Sequence, residues 1–375
     1  MLGGSLQIFD ISDPATPASI ATLAISGLQY SVAVSGRYAY ITDFTNNLLR
    51  IVDVSNPSSP ASVGTVSITN KPYKVFVSGR YAYVASASPG GITIVDISLP
   101  TSPVVVSTFT SADLTGDLYN LYVQGRYAYV PNYTLGRVVV VDVSNPTSPV
   151  QAGVVTGFSS PPGIAVQGRY AYVVNYGTTT LNIVDISNPA TPVTVATTTG
   201  FTGPSRIVVS GRYAYVSNFD TNKVSIIDVS SSTAPVVITH TITVGTAPLG
   251  LVLTGRLLAV MNYTSQTFSL IDVKGIETNG LIANSAELGS LQVLTSGQVA
   301  QNFTIGGELT VGTGGLNSQG PLSVFASTTN ATTTWFVNNA SGTAPILQVT
   351  SGCDTTSSTN ALLLLAGTKT DQRRF

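Results

Sequence analysis

"GRYAYV" occupies residues 79–84, and the same six residues return at 125–130, 168–173 and 211–216. "GRYAYI" at 36–41 and "GRLLAV" at 255–260 are variants of it. A second phrase keeps step: "IFDIS" at 8–12, "IVDVS" at 51–55, "IVDIS" at 94–98, "VVDVS" at 140–144, "IVDIS" at 183–187, "IIDVS" at 226–230 and "LIDVK" at 270–274. Its aspartates (Asp10, Asp53, Asp96, Asp142, Asp185, Asp228, Asp272) are spaced 43, 43, 46, 43, 43 and 44 apart. A period of this length marks either a propeller blade or a helical repeat pair.

Residue types decide between the two. "SVAVSG", "KVFVSG", "NLYVQG" and "RIVVSG" alternate with period two, and Val, Ile, Tyr and Thr dominate them. "SxPxxP", as "SNPxxP" in three cases, follows five of the seven aspartate phrases, and paired prolines exclude helix there. Each unit reads as four strands, as in "VAVSG", "RYAYI", "LLRIVDVS" and "ASVGTVSI", so the fold class is an all-β propeller of four-stranded blades. The glycine of "SGR" or "QGR" falls in a tight hairpin that asks for positive φ. In Tyr-Ala-Tyr both rings share one sheet face, where they fill the space between blades. The second and third strands run antiparallel, so the arginine starting one lies beside the aspartate ending the other. This predicts structural pairs Arg37–Asp53, Arg80–Asp96, Arg126–Asp142, Arg169–Asp185, Arg212–Asp228 and Arg256–Asp272. Aspartates spread one per blade do not converge on a metal, and no metal or cofactor is expected.

"GRYAYV" and "LNIVDISNPATPV" resemble the LVIVD repeat family of surface propellers, and "AYVVNY" and "LLAVMNY" are similar to the related Tyr-Val-Thr-Asn propellers. The resemblance covers residues 1–274. It implies a secreted or cell-surface location and carries no catalytic residues. The chain opens with third- and fourth-type strands and closes with a unit of three, 25 strands in all. Six blades close if the N-terminal strands complete the last one. Seven result if the first blade lacks its two inner strands. Six-bladed closure is the expectation for this chain.

Residues 275–375 lose the period. "GSLQV" at 289–293, "GELTV" at 307–311 and "GPLSV" at 320–324 loosely resemble tail-fibre and adhesin stalks, which would trimerise through 281–350. The alternative is a Ser/Thr/Gly-rich linker.

Charged residues make up 9% of the 375-residue chain and net charge is −1, against roughly 25% charged in ordinary soluble domains. A nucleic-acid partner needs a basic patch that this composition does not supply. The apolar run "ALLLLAG" at 361–367 is too short to span a bilayer. "MLGGSLQIFD" carries no signal-peptide pattern, and a truncated N-terminus is the expectation. The chain holds one histidine, His240 in a strand, and one cysteine, Cys353 in the tail. Neither sits in a catalytic motif, and no enzyme activity is expected.

Binding is the stronger reading. Loops between second and third strands carry Asn132–Tyr133, Asn175–Tyr176, Asn218–Phe219 and Asn262–Tyr263. These pairs are either turn chemistry or a ring of amides and aromatics suited to a surface glycan or protein. On the same face Asp113 and Asp117 sit in the longest inter-unit loop, and Arg206, Lys74 and Lys223 add positive charge. The expectation is a non-enzymatic surface binding or adhesion protein. A phage-type receptor-binding fibre and a propeller enzyme of lactonase or quinoprotein type are the alternatives.

Overall fold

A computed structural model describes residues 4–273. The proposed stalk and trimer segment, Cys353 and the side chain of His240 lie outside the described residues. The fold is all-β, with one turn of 3-10 helix at Ala112–Leu114. No helix among the described residues is long and apolar enough to cross a membrane.

The first blade contains β3 (Gln29–Ser35), β4 (Tyr38–Asp43), β5 (Leu48–Asp53) and β6 (Ala61–Ser67). Before it in the chain come β1 (Ser5–Asp10) and β2 (Ala18–Ala24). The second blade contains β7 (Pro72–Ser78), β8 (Tyr81–Ser86), β9 (Ile92–Asp96) and β10 (Val104–Phe109). The third has β11 (Tyr122–Gln124), β12 (Tyr127–Asn132), β13 (Arg137–Asp142) and β14 (Val150–Thr156). The fourth has β15 (Gly163–Gln167), β16 (Tyr170–Asn175), β17 (Thr180–Asp185) and β18 (Val193–Thr198). The fifth has β19 (Pro204–Ser210), β20 (Tyr213–Asn218), β21 (Lys223–Asp228) and β22 (Val236–Thr243). The sixth has β23 (Pro248–Thr254), β24 (Leu257–Asn262) and β25 (Thr267–Asp272). Each blade is an antiparallel meander in chain order, and among the described residues β1 pairs only with β2. The inner strands β3, β7, β11, β15, β19 and β23 are neighbours in that order around the ring.

The core lies between blades. Tyr81 and Tyr83 of one blade pack on Leu121 and Val123 of the next. Tyr127 and Tyr129 meet Ile164 and Val166, and Tyr170 and Tyr172 meet Ile207 and Val209. The small alanine between the rings faces the preceding blade, as Ala82 and Ala128 do. Outer strands lock on differently. A Cβ at Gly153 would collide with the Pro189 carbonyl of the next blade. At the equivalent position Ser107 Oγ donates to the Pro146 carbonyl at 2.6 Å.

Opposite ends of the second and third strands meet as the repeat predicts. The six Arg–Asp pairs form, from Arg37–Asp53 to Arg256–Asp272, the last at 3.4 Å. The arginine also lies over the following tyrosine, 5.3–5.4 Å from its ring centre, in five of them. The aspartate accepts the backbone N–H two residues on, Ser187 to Asp185 at 2.9 Å for example. Gly79, at φ +58°, turns the hairpin beside this cluster in a conformation that favours glycine.

The N-terminal strands correct one expectation. Six blades are present, but β1–β2 does not complete the last one, which has three strands among the described residues. The pair instead wedges between last and first blades. Phe9 meets Phe268 at 4.7 Å, and Leu6 and Leu23 cover Ile25, Ala39, Ile41 and Val52. The inner strands at this seam stay uncovered. Val32, Val34 and Val252 are 44%, 66% and 56% exposed, where the equivalents of Val32 in the second and third blades, Val75 and Leu121, are 1%. The sixth blade carries Leu257 and Ala259 where other blades place their two tyrosines.

Two outcomes follow from these elements. The Arg guanidinium first, then the serine two residues on, hold Asp96, Asp142, Asp185 and Asp228 down to about 2. Unfolded carboxylates take up protons near pH 4, so the stabilisation is complete above that value and is lost as pH falls toward 2. Melting temperature against pH should be flat from 7 to 5 and drop below about 4, with a shallower drop in Asp185→Asn. Thr179 adopts φ +54° in the loop before β17, where the third blade uses Gly136 at φ +63°. A β-branched residue is strained there, so Thr179→Gly should raise unfolding free energy by about 1 kcal/mol in a denaturant titration.

Candidate binding site at the channel mouth

Every inner strand starts at the same end of the ring, where the loops joining second and third strands also gather. The residue six before the hairpin glycine is tyrosine in the first three blades: Tyr30, Tyr73 and Tyr119. It is Pro162, Ser205 and Leu249 in the other three. The tyrosines form a continuous crescent with two loop aromatics. Ring centres lie 4.8 Å apart for Tyr30–Phe44, 4.9 Å for Tyr30–Tyr73 and 5.1 Å for Phe44–Tyr73. The series continues at 4.5 Å for Tyr73–Tyr119 and 5.0 Å for Tyr119–Tyr133. Tilted and edge-on geometries at these distances are the favourable ones for aromatic pairs. Tyr263 lies within electrostatic reach of Tyr30, and Tyr176 likewise reaches Tyr133. Lys71 Nζ stands 4.9 Å above the Phe44 ring.

Backbone bonds fix the loop rings. The amide N–H groups of Phe44, Tyr133, Phe219 and Tyr263 donate to the carbonyls of Leu28, Asp117, Gly203 and Ala247 at 2.8–3.1 Å. Burial raises the phenol pKa values of Tyr30, Tyr73 and Tyr119, so the crescent presents neutral hydroxyl groups.

The expected ring of amides is corrected. Asn132, Asn175, Asn218 and Asn262 are all buried, the first turned onto the preceding inter-blade loop and the other three onto the third strand of their own blade. Asn132 Nδ2 donates to the carbonyls of Asp113 and Thr115 at 2.9 Å. Asn175 Nδ2 donates to Asn182 Oδ1 at 2.7 Å, and Asn218 Nδ2 to Ser225 Oγ at 2.8 Å. Asn262 Nδ2 donates to Ser269 Oγ at 3.0 Å. These amides shape loops and do not face a ligand; their aromatic neighbours do reach the surface, Tyr176 and Tyr263 most of all. Phe219 is half-buried beside Asn218.

The acidic pair divides. Asp113 is paired to Arg137 and accepts from Gln151 Nε2 at 2.7 Å, the latter the main cause of its lowered pKa. Asp117 stays at the crescent, accepting from Ser88 N at 3.1 Å and Tyr119 Oη at 3.3 Å. Among the described residues no three His, Cys, Asp or Glu side chains converge. Lys223 starts the third strand β21, away from the inner strands.

Lys74 and Arg206 are different. Both stand five residues before the hairpin glycine of their inner strand, in the second and fifth blades of six. Those blades face one another across the axis, and the two cations lie within electrostatic reach of each other. Solvent touches both side chains, yet protein surrounds them. Burial first, then the like charge of Arg206, pushes the Lys74 ammonium down to about 8. Burial lowers Arg206 to about 10. Each position is a β-bulge, with the register slipping between Pro72 and Lys74 and between Pro204 and Arg206. Bulges re-aim side chains.

Tyr30 and Tyr73 of the inner strands, Tyr119 just before β11, and Phe44 escaped the sequence reading because their segments pass for ordinary strand alternation. Tyrosine at one repeat position in three consecutive units, and in no other, was the available signal. A groove of about 480 Å³ on the other face is lined by Gln167, Arg169, Tyr170 and Arg212. It is built from the repeat's own Arg–Asp clusters.

Six stretches of the chain, 2–23, 26–67, 72–111, 115–156, 162–199 and 204–243, match the LVIVD repeat. The protein belongs to the LVIVD repeat family. No curated protein sequence matches it. Similar solved structures include the periplasmic gluconolactonase PpgL of Pseudomonas aeruginosa, with TM-score 0.61, 18% identity, and coverage of 73% of this chain and 93% of that one. A functionally unknown protein from Desulfotomaculum acetoxidans gives TM-score 0.60, 16% identity, and coverage of 74% and 95%. Kuenenia stuttgartiensis hydrazine synthase gives 0.59, 15%, and 72% and 89%. At these identities the likeness is one of fold.

Lys74 carries a charge that the folded state holds at a cost. The folded ammonium loses its proton near 8, before the unfolded one does at about 10.4, so wild-type stability rises across that interval. Lys74→Met should therefore be more stable at pH 7, by about 1–2 kcal/mol. The gain should shrink above pH 8, as read by melting temperature against pH.

Proposed function

We propose that the protein is a non-enzymatic ligand-binding propeller of the cell surface or secreted space, and that it recognises a glycan at the channel mouth. The observation that carries this reading is the continuous crescent of Tyr30, Phe44, Tyr73, Tyr119 and Tyr133. Flat rings cover the apolar face of a sugar while phenol hydroxyls and loop carbonyls meet its polar rim. The frame beneath is rigid and the rings stand at loop entries, where recognition groups are usually carried. A surface low in charge suits an extracellular setting.

The test is binding of the full chain to an array of neutral and acidic oligosaccharides. A defined subset should bind. Tyr30→Ala and Tyr133→Ala should each weaken that binding by about 5–10-fold, the worth of roughly one aromatic contact, with melting temperature little changed. No binding to any saccharide at millimolar concentration would sink the reading.

A further inference from the structure

The crescent occupies one side of the mouth, and the two cations stand at its foot. Of the six residues five before a hairpin glycine, Ser31, Asn120, Gly163 and Gly250 carry no charge, so Lys74 and Arg206 alone place charge at this level. Arg206 is held in place by Nη1, which donates to the carbonyls of Pro162 at 3.0 Å and Ser205 at 2.9 Å. Its Nε and Nη2 have no protein acceptor among the described residues. Neither cation forms an ion pair among the described residues.

Among the described residues no carboxylate of the neighbourhood pairs with either cation, and Asp117 stands within electrostatic reach of Tyr30, Tyr73 and Tyr119. Asp43 accepts from Arg50 Nε at 2.7 Å. Asp117 is held by Ser88 and Tyr119, and Asp220 accepts from Tyr176 Oη at 3.2 Å. Two like charges brought into reach of each other, with no ion-pair partner among the described residues, cost stability that an anion would return. Tyr119 connects this level to the rings: it lies within electrostatic reach of Arg206 and stacks on Tyr73, the neighbour of Lys74 in sequence.

We propose that the channel mouth binds an acidic saccharide, its oxyanion seated between Lys74 and Arg206 and its sugar ring laid against Tyr73 and Tyr119. The inference rests on the glycan reading above and adds the charge class of the ligand. A carboxylate on a uronic acid and a phosphate ester supply the same oxyanion chemistry. Arg206 offers two free donors in a planar fork, which matches either.

The experiment is titration calorimetry of the full chain with four probes: a glucuronic-acid oligosaccharide, a sugar phosphate, a neutral oligosaccharide of the same backbone, and inorganic phosphate. At least one acidic saccharide should bind at least about tenfold more tightly than the neutral one and than inorganic phosphate. The acidic probe that binds identifies the source of the oxyanion. Lys74→Met and Arg206→Met should bring acidic binding down to the neutral level and leave neutral binding as it was. Lys74→Met keeps the test decisive if Arg206→Met fails to fold. Equal binding of neutral and acidic saccharides, or undiminished acidic binding in Lys74→Met, overturns the proposal and leaves the glycan reading standing. Inorganic phosphate binding as tightly as the acidic sugars also overturns it. Absence of binding by every saccharide overturns both.

Discussion

The structure depends on the contact between the tyrosine pair of one blade and the inner strand of the next. A four-stranded sheet of this size cannot bury enough apolar surface alone, and the clusters around Tyr83, Tyr129 and Tyr172 show where the deficit is made up. Each of the first five blades offers rings on one face and a small alanine, with branched residues, on the other. The Arg–Asp cluster under each hairpin holds the second strand against the third, so that the rings arrive at a fixed height. Repetition of one phrase is thus repetition of one interface.

That interface is why so much of the fold could be read from the chain. Asp53, Asp96 and their counterparts mark the period, and the alternation around them marks the strands. The pairs of Arg37 with Asp53 and of Arg212 with Asp228 follow from antiparallel register alone. The site was less legible. By residue type Asn132 and Asn175 suggest an exposed amide ring, yet at the end of a buried strand such amides are used to satisfy neighbouring polar groups. Tyr30, Tyr73 and Tyr119 obey strand alternation, so local pattern could not separate them from packing residues. Only the unequal use of one repeat position around the ring distinguishes them, and that asymmetry acquires meaning once the blades are arranged in a circle. Opposition of Lys74 and Arg206 is of the same kind, since 132 residues separate them in the chain.

Around the mouth, the frame and the site make opposite demands. The repeated elements satisfy their polar groups locally and pack their apolar ones tightly. Lys74 and Arg206 do neither in full: each is an enclosed cation with no ion-pair partner among the described residues. Departures of this sort concentrate where a protein meets something else.

The wedge formed by β1–β2 gives the ring a beginning and an end. "GRLLAV" is worn where the sixth blade turns toward that wedge, and the ring-bearing face has nothing comparable to meet. A circle of equal interfaces would open nowhere in particular. With a seam, the assembly behaves as a short linear array whose interior blades each have two full neighbours and whose terminal blades have one. Local opening then has a direction: it starts at β3 and β23, where valines already meet water, and works inward. The tyrosine crescent spans the first three blades, so one of its arms, at Tyr30 and Phe44, rests on the most readily loosened part of the ring. The pair of cations rests on blades two and five, away from it. The mouth would therefore combine a fixed charged floor with an aromatic wall whose outer edge is free to adjust.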